Sequence, residues 1–387
     1  MSPHPAGSSP VEWIARNPSS GEELARGPLT PPDDIPAIVE RARAAQGKWS
    51  STTLKDRARL LQRWSERLSS EGASWTTRIV QEAGKPRAEA LMELLSTLDQ
   101  LAWTIRHGPR ALRSTRVGSG RQILLLMGGA TVRRIPRGVV GVWGTWNYPL
   151  FLALPAIAHA ILAGNGVVFK ASENVPGLGA ALRQSWEEAD PPADLVGWIF
   201  GGVEQGRALA SSSVDFGHFT GGVAGGRAVL TKLAERGAPA VAELSGFDPA
   251  IVLADAPLAS TVPALTWSAF VGCGQTCVTI KRVYVVGDAA PWIDAMAQRT
   301  ESLRVGDPSQ GEVDLGPMIH PEARSRFDQT IQSAIAAGAI LRAGGRIVDG
   351  PGAFYRPTIL EARDDRPERV LAGCFGPVLI VRSVPDE

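Results

Sequence analysis

The stretch Val139–Lys170, VVGVWGTWNYPLFLALPAIAHAILAGNGVVFK, decides the fold class of this chain. Val139–Phe169 contains no Asp, Glu, Lys or Arg and is long enough in principle to cross a bilayer. However, Asn147, Pro149 and the run Gly164-Asn165-Gly166 break it into a strand, a helix and a second strand. These breaks are typical of a buried βαβ unit and not of a membrane-spanning helix. We therefore expect the stretch to lie in a protein core, and we expect no membrane partner.

Helices and strands alternate on both sides of this stretch. Apolar residues between Pro31 and Gly108 recur with helical spacing. The pattern then predicts strands and helices in alternation: strands Val139–Gly144, Gly166–Lys170, Val196–Phe200, Asp215–Thr220, Val241–Ser245, Ile251–Leu253 and Val283–Val286, and helices Pro149–Leu162, Gly177–Ala189, Arg227–Arg236, Pro291–Leu303 and Glu322–Ala337. Such alternation predicts an α/β protein with a parallel, doubly wound sheet, and dinucleotides often bind at the strand ends of such sheets.

One segment departs from this alternation. Residues 122–135 contain two short strand-like runs, Ile123–Met127 and Thr131–Ile135, separated by Gly128-Gly129. Two strands about a glycine turn predict a β-hairpin, and its position between helical and α/β regions favours an arm that projects from the body.

Length and composition limit the function classes. The 387 residues predict two domains or one large domain with an insertion, and 44% hydrophobic residues are enough for a substantial core. With 40 basic and 39 acidic residues the net charge is +1, so the balance favours no nucleic-acid partner. Three cysteines make no disulfide framework, and His218 and His320 lack partners at metal-ligand spacing. We expect no metal site, and the absence of a signal-peptide pattern at the start favours the cytoplasm.

A cysteine follows a short polar turn in Gly274-Gln275-Thr276-Cys277. Upstream, Glu243 ends an apolar run and opens the sequence Glu243-Leu244-Ser245-Gly246. A thiolate nucleophile and a separate carboxylate base are the groups that covalent chemistry at a carbonyl carbon requires. Taken singly, both residues keep a structural interpretation, because cysteine is among the most buried residue types and a strand often ends on a carboxylate.

A glycine-rich turn, Gly221-Gly222-Val223-Ala224-Gly225-Gly226, separates a predicted strand from a predicted helix. Helix N-terminal amides at such a turn can bind a pyrophosphate. The spacing is not G-x-G-x-x-G, so a simple tight turn stays open as the alternative.

The order of the motifs is more specific than any one of them. It runs from Asn17-Pro18-Ser19-Ser20-Gly21-Glu22 almost to the end of the chain, and its members are Pro136-Arg137-Gly138-Val139-Val140-Gly141, Trp146-Asn147-Tyr148-Pro149, Phe169-Lys170-Ala171-Ser172-Glu173, Phe219-Thr220-Gly221, Glu243-Leu244-Ser245-Gly246, Gly274-Gln275-Thr276-Cys277, Phe354-Tyr355-Arg356-Pro357-Thr358 and Phe375-Gly376-Pro377. In this order and spacing the chain resembles the aldehyde dehydrogenase superfamily. The Trp-Asn-Tyr-Pro and Gly-Gln-Thr-Cys forms are most similar to its class 3 branch.

The resemblance implies a fold and a domain organisation. Residues 1–121 and 136–245 would form an NAD(P)-binding domain with a Rossmann-type parallel sheet. Residues 122–135 would form a β-hairpin oligomerisation arm, and residues 246–387 an α/β catalytic domain. Family members continue beyond the strand that matches Val378–Val381, so we expect the C-terminal part of the fold to be missing from this chain, which ends at Glu387. A homodimer or homotetramer is implied if that part is not essential.

The resemblance also implies a catalytic role for three residues. Cys277 would attack an aldehyde, giving a thiohemiacetal and, after hydride loss, a thioester. The Asn147 side-chain amide and the Cys277 backbone N–H would stabilise the oxyanion. Glu243 would activate the water that hydrolyses the thioester, so the product would be a free carboxylic acid.

The cofactor implied by the resemblance is NAD, with NADP possible. Lys170 and Glu173 match positions that hold the adenosine ribose, where a carboxylate repels a 2′-phosphate. Some class 3 members accept both cofactors. The full set of matching cofactor-binding residues is Trp146, Lys170, Ser172, Glu173, Gly221, Gly222, Gly226 and Phe375.

Two positions depart from the family pattern at the cofactor site. Gly222 stands where the family has a serine that meets phosphate, and Gly373 replaces the glutamate that holds the nicotinamide ribose. Loss of that glutamate predicts a mobile nicotinamide and a hydride transfer slowed roughly ten- to a hundredfold. These departures and the early end of the chain support an alternative, a weakly active or non-catalytic relative that serves as a binding or assembly module.

Overall fold

The computed structural model describes residues 12–117 and 130–385. The helices and strands of these residues are, in chain order, β1 Glu12–Arg16, β2 Glu23–Pro28, α1 Ile35–Trp49, α2 Leu54–Ser70, α3 Gly72–Ala83, α4 Arg87–Ala111, β3 Thr115–Val117, β4 Ala130–Val132, β5 Val139–Trp143, α5 Ala153–Leu162, β6 Gly166–Lys170, α6 Pro176–Glu187, β7 Val196–Ile199, α7 Val203–Ser211, β8 Phe216–Gly221, α8 Val223–Ala234, β9 Ala240–Leu244, β10 Asp248–Val252, α9 Leu258–Phe270, β11 Ile280–Val286, α10 Ala290–Glu301, α11 Pro321–Ala336, β12 Ile340–Ala343, β13 Thr358–Glu361, α12 Arg366–Leu371 and β14 Val378–Val384. No described helix has the length and apolar character that a bilayer crossing requires.

The described residues fall into two compact units. The first contains residues 12–13, 27–72 and 93–243, and the second contains residues 14–26, 73–92 and 244–385. The predicted division at residues 245 and 246 lies two residues beyond the change of unit at 243 and 244, while two upstream segments join the second unit. The assignment of a cofactor or catalytic role to either part stays a prediction.

A parallel sheet forms the centre of the first unit, in the order β7-β6-β5-β8-β9. β5 pairs with β6 and with β8 in parallel, with Val140 opposite Val167 and Phe216. All residues of β5 and β6 are buried, which explains why the stretch between Val139 and Phe169 carries no charge. The predicted βαβ unit and the parallel sheet are therefore confirmed.

The helix α5 of this unit begins at Ala153, four residues after the predicted start at Pro149. The buried carboxylate of Glu93 accepts hydrogen bonds from the backbone N–H groups of Leu150 (2.9 Å) and Phe151 (3.4 Å). These amides are thus satisfied by a side chain distant in sequence and not by helix geometry, which leaves residues 149–152 as turns.

The second unit is built on a mixed sheet in the order β10-β11-β14-β13-β12. Its first four strands pair in parallel, and β12 pairs antiparallel with β13. Side chains of β11 alternate between a buried and a partly exposed face, so Lys281, Val283 and Val285 point into the core. The strands and helices of this unit extend the α/β prediction, although α9, β12, β13 and α12 were not predicted.

The predicted hairpin is described only in part. β4, Ala130–Val132, shares only Thr131 and Val132 with the second predicted strand, Thr131–Ile135, and it pairs antiparallel with Thr115–Val117. The first predicted strand, Ile123–Met127, and the Gly128-Gly129 turn lie outside the described residues. The role of residues 122–135 as an oligomerisation arm stays a prediction.

Candidate functional site

The end of β6 places the predicted ribose-binding residues side by side. Lys170 and Ser172 are buried, whereas the Glu173 side chain is about half exposed. The Lys170 Nζ atom donates a hydrogen bond to Glu173 Oε2 at 2.5 Å. Beside them, the backbone N–H of Gly144 bonds to the carbonyl of Lys170 at 2.9 Å, so the ends of β5 and β6 are held together. An ammonium and a carboxylate in one place can each meet hydroxyl groups of a sugar.

The glycine-rich turn joins β8 to α8, as the sequence predicts. Gly221 is the last residue of β8, Gly222 is the N-cap of α8, and Gly226 lies in its first turn. No atom lies within 4 Å of the place where a Cβ of Gly222 would stand, so the N-terminal amides of α8 have open space in front of them. A helix N-terminus with an uncovered glycine cap is suited to an anionic group such as a pyrophosphate.

Asn147 follows β5 in the turn before α5. The residue is 8% exposed, and its Oδ1 atom accepts a hydrogen bond from the Thr145 hydroxyl at 2.9 Å. This bond identifies the oxygen end of the amide and so fixes which end carries the NH₂ group. Trp146, beside it, is partly exposed. The geometry suits the role predicted for Asn147, which needs a side-chain N–H donor held in one orientation.

Glu243 is exposed in β9 and lines a cavity of about 410 Å³ within the first unit. Thr220 and His218 of β8 line the same cavity, as does His159 of α5. Burial lowers the pKa of His218, an effect that the Glu243 carboxylate opposes, and burial likewise lowers the pKa of His159. Both imidazoles are therefore neutral at pH 7. Glu243 is a carboxylate with space around it, as a residue that activates water must be.

The second unit carries Cys277 in the turn between a short 3₁₀ segment, Val271–Gly274, and β11. Gly272, Cys273 and Gly274 adopt φ values of 62°, 55° and 65°. Three successive left-handed residues turn the backbone sharply, and glycine tolerates this conformation where Cys273 is strained. The glycines of the predicted motif are thus required by the shape of the loop.

Buried polar side chains fix this loop, here called the nucleophile loop (residues 271–277). The Gln275 side chain accepts the backbone N–H of Ile319 at 3.0 Å and donates to the carbonyl of Gly272 at 3.2 Å. On the other side the Glu89 carboxylate accepts the N–H of Gly272 at 2.9 Å. Burial raises the pKa of Glu89 to about 7, against the opposing charge of Lys85. The sequence motif therefore includes a residue, Gln275, whose function is to hold the loop.

The three cysteines have different surroundings. Cys277 is partly exposed, whereas Cys273 is 2% exposed and burial raises the pKa of its thiol to about 12. Burial also raises the pKa of Cys374. No disulfide occurs in the part of the chain that the structure describes, which includes all three cysteines. Because the thiolate is the reactive form of a cysteine, burial holds Cys273 in an unreactive form.

Phe375-Gly376-Pro377 precedes β14 and lies against the nucleophile loop. A Cβ on Gly274 would stand 2.3 Å from the carbonyl oxygen of Gly376, so the two backbones are in direct contact. Two residues earlier, Gly373 is exposed with φ of +83°, in the left-handed region. The residue that replaces the family's glutamate thus sits in a backbone conformation that glycine favours.

The structure brings the predicted residues together in two groups. Asn147, Lys170, Glu173, the glycine turn and Glu243 belong to the first unit, and Cys277 and Phe375 belong to the second. Within the first unit the predicted cofactor residues lie at the carboxyl ends of β5, β6 and β8, along the same edge of the parallel sheet. Three buried or cavity-lining residues, namely Glu93, His218 and Lys281, were not predicted, and neither was the partly buried Glu89. Lys281 had a signal in the sequence, because it shares the inward face of a strand with Val283 and Val285.

Comparison with known proteins identifies the family. The sequence pattern of the aldehyde dehydrogenase family matches residues 7–387. The chain belongs to this family. Its membership confirms the predicted superfamily, the α/β fold and the enzyme class.

Curated relatives carry aldehyde dehydrogenase names. The chain is 29% identical over 377 residues to a succinate semialdehyde dehydrogenase [NAD(P)+] of Escherichia coli, an alignment that covers 96% of this chain and 80% of that protein. It is 32% identical over 367 residues to a vanillin dehydrogenase of an Amycolatopsis species, which covers 93% of this chain and 73% of that protein. The predicted reaction class, oxidation of an aldehyde with a nicotinamide cofactor, is thus confirmed at the level of the family.

Solved structures agree with this assignment. The Mycobacterium tuberculosis aldehyde dehydrogenase complexed with NAD+ superposes with a TM-score of 0.92 at 30% identity, covering 98% of this chain and 79% of that one. Among the described residues no group of three His, Cys, Asp or Glu side chains could hold a metal ion.

Proposed function

We propose that this chain oxidises an aldehyde to a carboxylic acid with NAD as the hydride acceptor, through a thioester on Cys277. One aldehyde, one NAD+ and one water give one carboxylic acid, one NADH and a proton. The thiolate of Cys277 adds to the carbonyl carbon, and the carbonyl π electrons move to the oxygen. The Asn147 side-chain N–H and the Cys277 backbone N–H stabilise that oxyanion, a contribution of roughly 3 kcal/mol for one donor.

Loss of hydride from the thiohemiacetal re-forms the carbonyl and leaves a thioester on Cys277, and a nicotinamide held by the proposed cofactor residues would supply the acceptor for that hydride. Glu243 then removes a proton from a water molecule that attacks the thioester carbon. The carbon–sulfur bond breaks, and the Cys277 thiolate leaves as the acid is released. The exposed position of Glu243 in a cavity supports this role, because water reaches the carboxylate.

The residues present fit a dinucleotide. The open N-terminus of α8 at Gly222 offers amide donors to a pyrophosphate, and the neighbouring strand end offers Lys170 and Glu173 to a ribose. The carboxylate of Glu173 favours NAD over NADP, and NADP stays a possible second cofactor. Trp146, Ser172, Gly221, Gly226 and Phe375 complete the proposed cofactor site.

The contrast between the cysteines carries the proposal. Cys277 is partly exposed at the end of a loop whose backbone is held by Glu89 and Gln275, and its neighbour Cys273 is buried with a raised pKa. A packing cysteine requires no such loop, whereas a nucleophile requires a thiol that is both accessible and fixed.

The test is NADH formation by the purified chain with NAD and a panel of aldehydes that includes succinate semialdehyde, benzaldehyde and vanillin. We expect absorbance at the NADH band to grow with at least one aldehyde, and Cys277→Ala to abolish this growth. Cys273→Ala, in the same loop, is the matched control and should keep most of the activity. Equal activity of wild type and Cys277→Ala would contradict the proposal, and inactivity of the wild type with intact NAD binding would favour the binding-module alternative.

We further propose a homodimer or homotetramer in the cytoplasm. The reduced cysteines support the location and the partly described β3-β4 pair supports an arm for association. Light scattering of the purified chain measures the oligomeric state.

A further inference from the structure

Lys281 is a buried cation in the second unit that the proposed mechanism does not use. It is 1% exposed and lies on the inward face of β11 with Val283 and Val285. Apolar side chains would suit this face, since removing an ammonium group from water costs several kcal/mol unless polar partners compensate. A lysine here therefore needs a specific set of partners.

The partners of Lys281 are two backbone carbonyls. Its Nζ atom donates to the carbonyl of Gly274 at 2.7 Å and to the carbonyl of Gly376 at 2.6 Å. Gly274 belongs to the nucleophile loop, and Gly376 belongs to the loop Phe375-Gly376-Pro377 that precedes β14. One side chain thus joins two segments that are about a hundred residues apart in sequence.

The charges around the Lys281 ammonium group support its role as a link between the two loops. Among the described residues no carboxylate forms an ion pair with Lys281, and the titratable groups nearest to it are the thiols of Cys374 and Cys273. Burial lowers the pKa of Lys281 to about 8. The two charge-assisted hydrogen bonds are therefore the main compensation for burying the ammonium group.

The nucleophile loop and the Phe375-Gly376-Pro377 loop are in close contact, so loss of the Lys281 ammonium group would disturb both. Without Lys281 the carbonyl of Gly274 would lose its side-chain donor in a buried site, and the carbonyl of Gly376 would keep only the backbone N–H of Val378 at 2.9 Å. A buried acceptor left without a donor costs free energy, and the two carbonyls would no longer share one donor. The loops would then separate or turn, and Cys277 lies three residues from Gly274.

We propose that Lys281 is a positioning residue that fixes the nucleophile loop against the Phe375-Gly376-Pro377 loop, and so sets the place of the Cys277 thiol relative to a nicotinamide held beside Phe375. The inference rests on the proposed function for what the two loops carry. Lys281 would then link the segment that carries the nucleophile to the segment beside the hydride acceptor. In this chain Gly373 stands in the place of the ribose-binding glutamate, so that other means of holding the nicotinamide is missing.

The test compares wild type with Lys281→Met, which keeps the length of the side chain and removes the donors. Tyr355→Phe is the matched control, because it keeps the ring and removes a hydrogen bond of the same unit, from the Tyr355 hydroxyl to Asp328 at 2.9 Å, that involves neither loop. Three quantities are measured on each protein: NAD affinity, the rate of the first-turnover NADH burst, and amide hydrogen exchange of residues 271–277 and 373–378.

We expect Lys281→Met to bind NAD within about threefold of wild type but to slow the burst roughly ten- to a hundredfold, as a displacement of about 1 Å between reacting groups does. Exchange should become faster in both loops together and stay unchanged elsewhere in the unit. Tyr355→Phe should keep the burst and the exchange of the two loops.

Lys281→Gln is the second variant, because its neutral amide retains donors on a shorter side chain. Its burst rate should lie between those of wild type and Lys281→Met, and it serves alone if the methionine variant does not fold. A burst within twofold of wild type in the folded variants overturns the proposal. So does faster exchange spread evenly over the unit, which marks Lys281 as a general stabilising residue.

Hydrogen exchange separates this inference from the proposed function. If wild type forms no NADH with any aldehyde, the proposed function fails while exchange still reports whether Lys281 joins the two loops. Unchanged exchange in both loops of Lys281→Met then overturns the positioning role on its own.

Discussion

The edge of the first unit that carries the predicted cofactor residues and the nucleophile loop of the second unit are built in opposite ways. At the edge, Gly222 has open space around it and Glu173 is half exposed, with one ion pair to Lys170. At the nucleophile loop, the side chains of Glu89, Gln275 and Lys281 form hydrogen bonds with backbone groups that face the protein interior. A site that admits a large ligand stays open, whereas a site that must hold one atom in place is filled by its own side chains.

This difference also explains where the chain departs from its family. Gly222 replaces serine at a position with free space and ordinary backbone angles, so the change costs little. Gly373 replaces glutamate at a position with a left-handed backbone, so the loop around it has adapted to glycine. We therefore expect Gly222→Ser to restore the family's residue without strain, and Gly373→Glu to restore it only with strain.

The largest effect should come from the Glu89 carboxyl, which accepts the Gly272 N–H of the nucleophile loop. The pKa of Glu89 is raised by burial from 4.5 to about 7 in the folded state, so the folded protein binds a proton that the unfolded chain has released between these pH values. Stability from this group is therefore present below pH 4.5 and is lost as the pH rises to about 7, a change of about 2–3 kcal/mol.

Glu89→Gln should remove this part of the pH dependence, because the amide accepts the Gly272 N–H without titrating. The measurement is the free energy of unfolding in urea at several pH values between 4.5 and 7.5. Glu235→Gln, an exposed carboxylate paired with Lys232, should leave the slope as it is in wild type. An identical slope in Glu89→Gln would show that the loop is not held by a buried, protonatable group.

A smaller effect is expected at Gly373. Gly373→Glu restores the family's residue but places a side chain at φ of +83°, which costs about 1–2 kcal/mol of stability. Hydride transfer should not recover, because a glutamate at a left-handed position strains the loop that would have to hold its carboxylate in place. Gly373→Asn should cost less than the glutamate variant, since asparagine tolerates the left-handed conformation. Thermal unfolding and the NADH burst measure both effects; a faster burst without loss of stability would contradict the expectation.

The smallest effect is expected for NAD affinity when Gly222, at the open edge of the first unit, is changed. Gly222→Ser places a hydroxyl at the N-cap of α8 without a clash, since no atom lies within 4 Å of the new Cβ. Serine is a better N-cap than glycine and offers one further donor to a phosphate, so NAD affinity should rise about threefold to tenfold. Calorimetric titration with NAD is the measurement, and Gly202→Ser, the open N-cap of α7, is the matched control. Equal or weaker NAD binding by Gly222→Ser would show that this turn does not meet the phosphates.

The sequence predicts the sheet of the first unit well because its strands are short, uncharged and bounded by turn residues. It predicts the start of α5 less well, because the amides of Leu150 and Phe151 are satisfied by Glu93, which lies on a different helix. The same holds for the nucleophile loop. Cys277 is recognisable from its motif, but Glu89 and Lys281 act on it through contacts that only the folded chain creates.

A close backbone contact at Gly246 limits the residues that this position can accept. A Cβ on this glycine would stand 2.4 Å from the carbonyl oxygen of Cys277, nearer than any two such atoms approach. Substitution at position 246 is thus limited by the backbone of Cys277, and not only by the Glu243-Leu244-Ser245-Gly246 motif to which Gly246 belongs. A library of random substitutions should find both positions intolerant, and a second-site change that rescues one would be expected to map near the other.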